Sequence, residues 1–222
     1  MIVAKRKPIE EIIEETQGYE KILMVGCNEC VTVCEAGGKK EVAVLASALR
    51  MHFMNQGKDV KIEEVTLERQ CDHEYLEELR NQIDQYDAVV SLACGVGVQF
   101  MAEKYMSMPV LPGVDTCFMG VTEERGVWSE RCQGCGSCML AKTAGICPVS
   151  RCAKRLFNGP CGGSTDGHCE IDKGIICGWQ LIVDRLTKLD KLDDYEVLMP
   201  IKDWSTERAG GPRKVVREDV MQ

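Results

Sequence analysis

The sequence predicts an α/β fold with a doubly wound parallel sheet, followed by a small cysteine-rich domain held by metal, a C-terminal helix and an extended tail. Apolar runs alternate with amphipathic helical stretches up to about residue 120, which is the pattern of a parallel sheet covered on both faces. Eight of the fourteen cysteines then fall between residues 132 and 177, among many glycines and few large apolar side chains. We therefore expect a Rossmann or flavodoxin-like domain over 1–120, a cysteine-rich iron–sulfur domain over 121–190 and a tail over 191–222.

Composition and charge exclude several classes of protein. Charged residues make up 28% and hydrophobic residues 45% of the 222 residues, which is ordinary for a folded protein. The formal net charge of −8, without a basic stripe, argues against a nucleic-acid partner. The N-terminus lacks the apolar segment of a signal peptide, and no run approaches the roughly 18 apolar residues of a membrane span. We expect a cytoplasmic protein, where C-x2-C patterns favour metal over disulfides.

The α/β part is predicted to contain four strands and the helices that connect them. A continuous apolar run that ends at Gly26 is typical of a buried parallel strand, and Gly57 ends the long helix that follows. After Cys177, apolar residues at helical spacing predict a final helix. The strands are expected at 21–26, 59–67, 88–93 and 109–116, and the earlier helices at 8–17, 39–56, about 76–86 and about 97–105.

Cysteines follow the predicted strands. Cys27, Cys71, Cys94 and Cys117 each come shortly after one of them. Because the carboxyl ends of parallel strands meet at one edge of a sheet, we expect all four to open onto that edge. With the strand order 2-1-3-4, the first and third strands are neighbours, so Cys94 can reach the turn that follows Cys27.

A four-thiolate site is predicted at this edge. Cys27, Cys30 and Cys34 form C-x2-C-x3-C within one turn, and Cys94 would supply the fourth thiolate. This spacing suits a [4Fe-4S] cluster, with zinc as the alternative metal and Cys71 as the alternative fourth ligand. The positive end of helix 39–56 would stabilise a negatively charged cluster.

The later cysteines predict one or two further metal sites. A C-x2-C-x2-C triplet begins at Cys132, as at three corners of a cubane in bacterial ferredoxins, and Cys147 precedes a proline. Either Cys147 completes the triplet locally, or a later cysteine does so and Cys147 belongs to a second site with Cys152, Cys161 and a remaining partner. His168 is expected beside a site rather than as a ligand. The candidate ligands are Cys132, Cys135, Cys138, Cys147, Cys152, Cys161, Cys169 and Cys177.

The sequence predicts an electron carrier that is not catalytic by itself. It contains no phosphate-binding loop, nucleophile elbow or paired-carboxylate motif. The apolar tail residues Leu198, Ile201 and Trp204 lie on no periodic element, so we expect them to dock on a partner. Two other functions stay open: a structural zinc or iron–sulfur scaffold for a catalytic partner, and a redox enzyme that uses Cys71 or Cys117 as a reactive thiol.

Four stretches carry a family resemblance. They are G-C-N-E-C-V-T-V-C-E-A-G-G-K-K-E-V at 26–42, S-L-A-C-G-V-G-V-Q at 91–99, C-Q-G-C-G-S-C at 132–138, and N-G-P-C-G-G followed by D-G-H-C-E within 158–170. Together they resemble the methylenetetrahydrofolate reductase C-terminal domain family. More closely, residues 20–205 are similar to the small iron–sulfur or zinc-type accessory subunit of that reductase in acetogenic bacteria.

This resemblance implies a partner and a set of cofactors. The partner would be a flavin-containing catalytic subunit, a (β/α)8 barrel whose FMN reduces 5,10-methylene- to 5-methyl-tetrahydrofolate in the Wood–Ljungdahl pathway. The chain would bring electrons to that FMN through two or three [4Fe-4S] clusters, with zinc as an alternative at one site. Ferredoxin or a larger electron-donating complex would supply the electrons.

Overall fold

The computed structural model describes residues 1–208 and 211–221, and the chain divides into two compact units, Met1–Ser129 and Glu130–Gln222. Residues 209, 210 and 222 of the predicted tail lie outside the described residues. In the first unit the helices are α1 (Ile9–Thr16), α2 (Cys30–Val33), α3 (Lys39–Asn55), α4 (His73–Glu77) and α5 (Gly95–Lys104). The strands are β1 (Ile2–Arg6), β2 (Lys21–Cys27), β3 (Lys61–Leu67), β4 (Ala88–Ser91), β5 (Val110–Pro112), β6 (Val114–Glu124) and β7 (Val127–Cys132).

A four-stranded parallel sheet, in the order β3-β2-β4-β5, is the centre of the first unit. This order confirms the predicted arrangement of the four strands. The side chains of β2 alternate between two cores: Ile22 and Met24 pack with Leu49 and Phe53 of α3, whereas Leu23 and Val25 pack with residues of α4 and α5. The sheet is therefore buried on both faces, as the apolar runs predicted.

A second sheet of this unit was not predicted from the sequence. It has the order β1-β6-β7, and β1 pairs with β6 in antiparallel register, with Ile2 opposite Met119. The expected fourth strand at 109–116 is divided at Gly113 between the two sheets. The expectation that Cys117 opens onto the carboxyl edge of the parallel sheet is therefore wrong, since Cys117 lies inside β6 and is exposed.

The remaining helices differ from the predictions mainly in length. The long helix α3 and the helix α5 lie close to their predicted bounds. The helix expected at about 76–86 is instead the short α4 followed by a 3-10 turn at Ile83–Gln85. Over residues 1–208 and 211–221, no helix is both long and apolar enough to cross a membrane.

The second unit contains the helices α6 (Pro148–Arg151) and α7 (Gly178–Lys188), with 3-10 turns at Leu140–Thr143, Leu192–Glu196 and Glu218–Val220. Helix α7 confirms the predicted final helix. Its residues Trp179, Ile182 and Leu186 are buried in a small core, and the Trp179 indole N–H donates to the Leu156 carbonyl at 2.9 Å. This unit therefore has more apolar packing than its composition indicated.

Candidate metal centres

The first group of thiols lies at the carboxyl edge of the parallel sheet. Cys27 is the last residue of β2, Cys71 follows β3, and Cys94 follows β4 and precedes the first residue of α5. Because β3, β2 and β4 are adjacent in the sheet, these three segments end side by side. Cys30 begins the short helix α2, directly after the turn that follows β2. All fourteen cysteines of the chain are free thiols.

Cys27 is the most enclosed thiol of this edge. Burial raises its pKa, and the backbone N–H groups of Glu29 and Gln70, which donate to the sulfur, act in the opposite direction. The thiols of Cys94 and Cys71 are close enough to raise the pKa of Cys27 further by charge repulsion. Amide donors around a sulfur favour its thiolate form, which is the form that binds metal.

Cys71 belongs to the same electrostatic group. Burial raises the pKa of its thiol, and the neighbouring Cys94 and Cys30 raise it further, whereas the Arg69 guanidinium lowers it. Cys94 is the N-cap residue of α5 and so stands at the positive end of that helix. The edge thus brings together Cys27, Cys30, Cys71 and Cys94.

Cys34 contacts β1 and is also close enough to Cys30 for that thiol to raise its pKa. It is only 5% exposed, and its sulfur accepts the backbone N–H of Ala4 in β1 at 3.4 Å. Burial raises the pKa of this thiol, and the Ala4 amide lowers it. The structure therefore gives Cys34 a hydrogen-bond partner on β1, which the C-x2-C-x3-C spacing did not indicate.

A buried glutamine fixes the edge, and sequence reasoning missed it. Gln70 is 0% exposed, and its amide donates to the carbonyls of Val25 and Gly26, both at 2.9 Å. The amide oxygen accepts the hydroxyl of Ser91, in β4, at 2.6 Å. Gln70 thus joins the ends of β2 and β4 to the segment that carries Cys71. The one sequence signal was Ser91, a polar residue within an otherwise apolar strand.

The positive N-terminal end of α3 was expected to stabilise a negatively charged cluster at this edge, but a carboxylate of the helix itself already caps that end. The backbone N–H of Gly38, just before α3, donates to the Glu41 carboxylate at 3.0 Å. This carboxylate already lies at the positive end of the helix. The N-terminus of α5, which Cys94 precedes directly, is the more immediate source of positive potential for a thiolate.

The C-x2-C-x2-C triplet lies at the start of the second unit. Cys132 is the last residue of β7, and its sulfur accepts the Gly134 backbone N–H at 3.3 Å. Cys135 and Cys138 follow in an irregular loop, and Cys147 directly precedes α6. Amide donation to a thiolate sulfur is common at metal sites because it offsets part of the negative charge.

The tail is bonded to this cysteine loop. The Lys202 ammonium donates to the carbonyls of Gly136 at 2.6 Å and Ser137 at 3.1 Å. The Thr206 hydroxyl donates to the Cys135 carbonyl at 3.1 Å, and the Arg213 guanidinium donates to the Gly134 carbonyl. Two cations and a hydroxyl of the tail therefore hold the backbone of the loop between the first and third cysteines of the triplet.

The apolar residues of the tail do not all behave as expected. Trp204 is half-buried and has a local contact that the sequence did not indicate, since its ring packs edge to face with the Phe157 ring at a centroid distance of 5.5 Å. Leu198 and Ile201 remain 81% and 96% exposed. Of the three residues predicted to dock on a partner, two are thus free to do so within this unit.

Four of the remaining cysteines line one small cavity of the second unit. The cavity has a volume of about 20 Å³. Its thiols are those of Cys152, Cys161, Cys169 and Cys177, and Lys154 and Glu170 also line it. His168 is exposed and forms backbone bridges with Thr165 and Ile176. The structure therefore places His168 next to this set of thiols in the chain, without an imidazole contact that would make it a ligand.

These sets of thiols have the chemistry of metal ligands without forming a closed site. Within residues 1–208 and 211–221, no three Cys, His, Asp or Glu side chains already have the arrangement of a metal-binding group. Protonated thiols do not bind metal, so loading requires loss of protons and convergence of the sulfurs. The donors fit a thiolate-bound metal or cluster in each set.

Comparison with known proteins gives one match. Residues 111–205 match the model of a family described as "Methylene-tetrahydrofolate reductase C terminal". This range includes all eight cysteines of the second unit and confirms the resemblance found in the sequence. No curated protein and no solved structure matches the chain.

Proposed function

We propose, since residues 111–205 match the model of the methylene-tetrahydrofolate reductase C-terminal family, that the chain is an electron-transfer subunit of such a reductase. It would pass electrons through [4Fe-4S] clusters to the FMN of a (β/α)8-barrel catalytic subunit. That subunit would reduce 5,10-methylene- to 5-methyl-tetrahydrofolate. The chain itself would have no catalytic residue and would act only in the complex.

The observation that carries this proposal is the group of thiols at the carboxyl edge of the parallel sheet. Cys71 and Cys94 lie within electrostatic range of Cys27, and Cys30 and Cys94 lie within electrostatic range of Cys71, at the ends of adjacent segments. Four thiolates are the ligand set of a [4Fe-4S] cluster. The ligands predicted from spacing were Cys27, Cys30, Cys34 and Cys94, with Cys71 as the alternative. The Cys34 thiol donates to the carbonyls of Ala4 at 3.7 Å and Val31 at 3.6 Å, which a metal-bound thiolate could not do, and this supports Cys71 as the fourth ligand.

The residues around each set of thiols have definable roles in such a site. When bound, an iron–sulfur cluster exchanges single electrons with a flavin. The backbone N–H groups of Glu29 and Gln70 would stabilise the Cys27 thiolate. At the triplet, Lys202 and Arg213 place positive charge beside a site that thiolates make negative. Charge and hydrogen bonds near the sulfurs are among the factors that set the reduction potential of a cluster.

The catalytic partner would dock on the exposed apolar part of the tail. Leu198 and Ile201 present unpaired apolar surface, whereas Trp204 is held against Phe157. A partner that covers Leu198 and Ile201 would lie beside the segment bonded to the C-x2-C-x2-C loop. Contact at this position would place a C-terminal metal site near the interface, where electron transfer to FMN requires it.

A structural scaffold is the second candidate function. The small core around Trp179 and the bonds between the tail and the loop indicate a unit built for rigidity. In this alternative the metals, zinc or iron–sulfur clusters, would stabilise the catalytic partner and carry no electrons. Zinc has no redox chemistry in proteins, so the two candidates differ in a measurable property.

The test is the metal content and redox response of the full chain, purified without oxygen. We expect iron and acid-labile sulfide in equal amounts, about four or more of each per chain, and broad visible absorption that dithionite bleaches. Cys94→Ser should remove about one cluster's worth of iron, and Cys117→Ser, which changes an exposed thiol within β6, should remove none. Zinc alone, with no bleachable absorption, would exclude electron transfer and leave the scaffold.

A further inference from the structure

We infer that Cys152, Cys161, Cys169 and Cys177 form one metal centre of their own, distinct from a second set made by Cys132, Cys135, Cys138 and Cys147. The inference deepens the proposed function, since that function requires metal sites but does not say how the eight cysteines divide. The ligand would be a thiophilic metal, either a single tetrahedral ion or an iron–sulfur cubane. Sequence spacing left this division open.

Backbone hydrogen bonds bring Cys169 and Cys177 together. The Cys169 N–H donates to the Ile175 carbonyl, and the Cys177 N–H donates to the Gly167 carbonyl, both at 2.8 Å. His168 forms antiparallel bridges with Thr165 and Ile176 in the same segment. Residues 165–177 therefore fold back on themselves, and the two cysteines stand on facing strands of the turn.

Cys161 is connected to this turn through a side chain. Its thiol donates to the Glu170 carboxylate at 3.4 Å, and Glu170 is the residue next to Cys169. Lys154 forms an ion pair with the same carboxylate. On metal binding the Cys161 proton would leave, and the Lys154 ammonium would remain to balance the new thiolate charge.

Cys152 and Cys177 are neighbours because the two segments that carry them approach each other closely. A Cβ atom added at Gly178 would lie 2.8 Å from the Arg151 carbonyl oxygen. Only glycine permits the start of α7 to lie against the end of α6 at this distance. Cys177 directly precedes Gly178, and Cys152 directly follows Arg151. Both cysteines pack against the Trp179 core.

The volume and the lining separate this centre from the triplet. All four thiols line one cavity, and none of Cys132, Cys135, Cys138 and Cys147, which the structure also describes, does so. Cys138 instead lines a depression formed with Phe157 and the tail. About 20 Å³ is close to the space that one water molecule occupies. A single metal ion needs no more space than this once the sulfurs converge on it, whereas a cubane also requires the walls to move outward.

The inference predicts that four cysteine variants share one phenotype. Cys152→Ser, Cys161→Ser, Cys169→Ser and Cys177→Ser, each in the full chain, should lose the same metal in the same amount. We expect a loss of about one zinc per chain with iron and sulfide retained, measured by elemental analysis and labile sulfide. Loss of about four iron atoms with four sulfides would keep the four ligands and identify a cubane.

The matched comparison is with the other set and with an unrelated thiol. Cys132→Ser and Cys147→Ser should each lose the metal of the other centre, so that combining either with Cys152→Ser gives the sum of the two losses, and Cys117→Ser should lose none. Circular dichroism of each variant checks that unit Met1–Ser129 is still folded, so that metal loss is local. If a chain with both Cys147→Ser and Cys152→Ser loses no more metal than either single variant, the two cysteines hold the same metal and the division is wrong.

This outcome is independent of the proposed function. A correct division with metals that cannot be reduced would leave the centre in place and exclude electron transfer. Reducible clusters with a different division of the cysteines would support electron transfer and overturn the four-cysteine centre. If the four variants keep the full metal content of the parent chain, these cysteines hold no metal and the inference is overturned.

Discussion

Replacement of Gln70 tests the physical account of the N-terminal site. The Gln70 side chain makes three buried hydrogen bonds, to Val25, Gly26 and Ser91. A buried hydrogen bond contributes about 1 kcal/mol, and unpaired buried partners cost at least as much. Gln70→Ala should therefore lower the free energy of unfolding by about 3 kcal/mol, which corresponds to a fall in Tm of about 10 °C. It should also lower iron content, because the side-chain bonds hold in place the segment whose backbone N–H, at Gln70, donates to Cys27.

Two further variants separate the possible causes. Gln70→Met keeps most of the volume and removes the amide, so it should destabilise the chain nearly as much as alanine does if hydrogen bonds dominate. Gln85→Ala removes an exposed glutamine with one long bond, 3.3 Å, to the Asn81 carbonyl, and should change stability by less than about 0.5 kcal/mol. Thermal and urea unfolding of the full chain measure all three. A Gln70→Met chain as stable as the parent would refute the hydrogen-bond reasoning.

Three other predictions follow from the same contacts. Cys71→Ser should remove one cluster's worth of iron and Cys34→Ser should retain it, whereas the reverse result would restore the ligand set predicted from spacing. Truncation after residue 190 should lower both metal content and affinity for the catalytic subunit, because the tail bonds to the cysteine loop; co-purification with unchanged metal content would contradict this. Burial and the hydrogen bond to Glu63 raise the pKa of Tyr86 to about 12, above the unfolded value of 10.0. Because the pKa is higher in the folded chain, the protonated Tyr86 stabilises the fold below pH 10, and this stabilisation is lost as the pH rises toward 12. Tyr86→Phe should therefore reduce the difference between the free energies of unfolding in urea at pH 9 and at about pH 11.5. An unchanged difference would show that Tyr86 does not cause the pH dependence.

The parallel sheet could be predicted because its signals are local. The strands β2 and β4 are apolar runs followed by helices, and their burial on both faces is evident from the sequence. The order β3-β2-β4-β5 then follows from the usual connections of such folds. The sequence predicted one strand where the structure has β5 and β6, because only Pro112 and Gly113 signal that the chain passes from one sheet to the other.

The antiparallel sheet could not be predicted because its contacts are distant in sequence. Ile2 pairs with Met119, and five residues of β1 contain no turn or periodic signal that points to a partner so far away. The same pairing decides the environment of Cys34, since Ala4 of β1 donates to its sulfur. Spacing within one turn therefore predicted which cysteines are close in the chain and not which sulfurs face one another.

The local contacts of the tail could not be predicted for a similar reason. Trp204 was expected to need a partner because no periodic element carries it, yet Phe157 receives its ring. Lys202 and Thr206 bond to backbone carbonyls of the cysteine loop, and backbone carbonyls leave no mark in a sequence. Leu198 and Ile201 are exposed, and their docking on a partner stays a prediction.

The most direct test of the proposed function is the transfer of electrons from this chain to the flavin. The full chain, reduced with dithionite and freed of excess reductant, would be mixed without oxygen with the catalytic subunit carrying oxidised FMN. We expect the flavin absorbance to bleach as the visible absorption of the chain returns, and Cys94→Ser to slow this step at least tenfold. If the loaded chain reduces the flavin no faster than metal-free chain does, it does not carry electrons to the reductase.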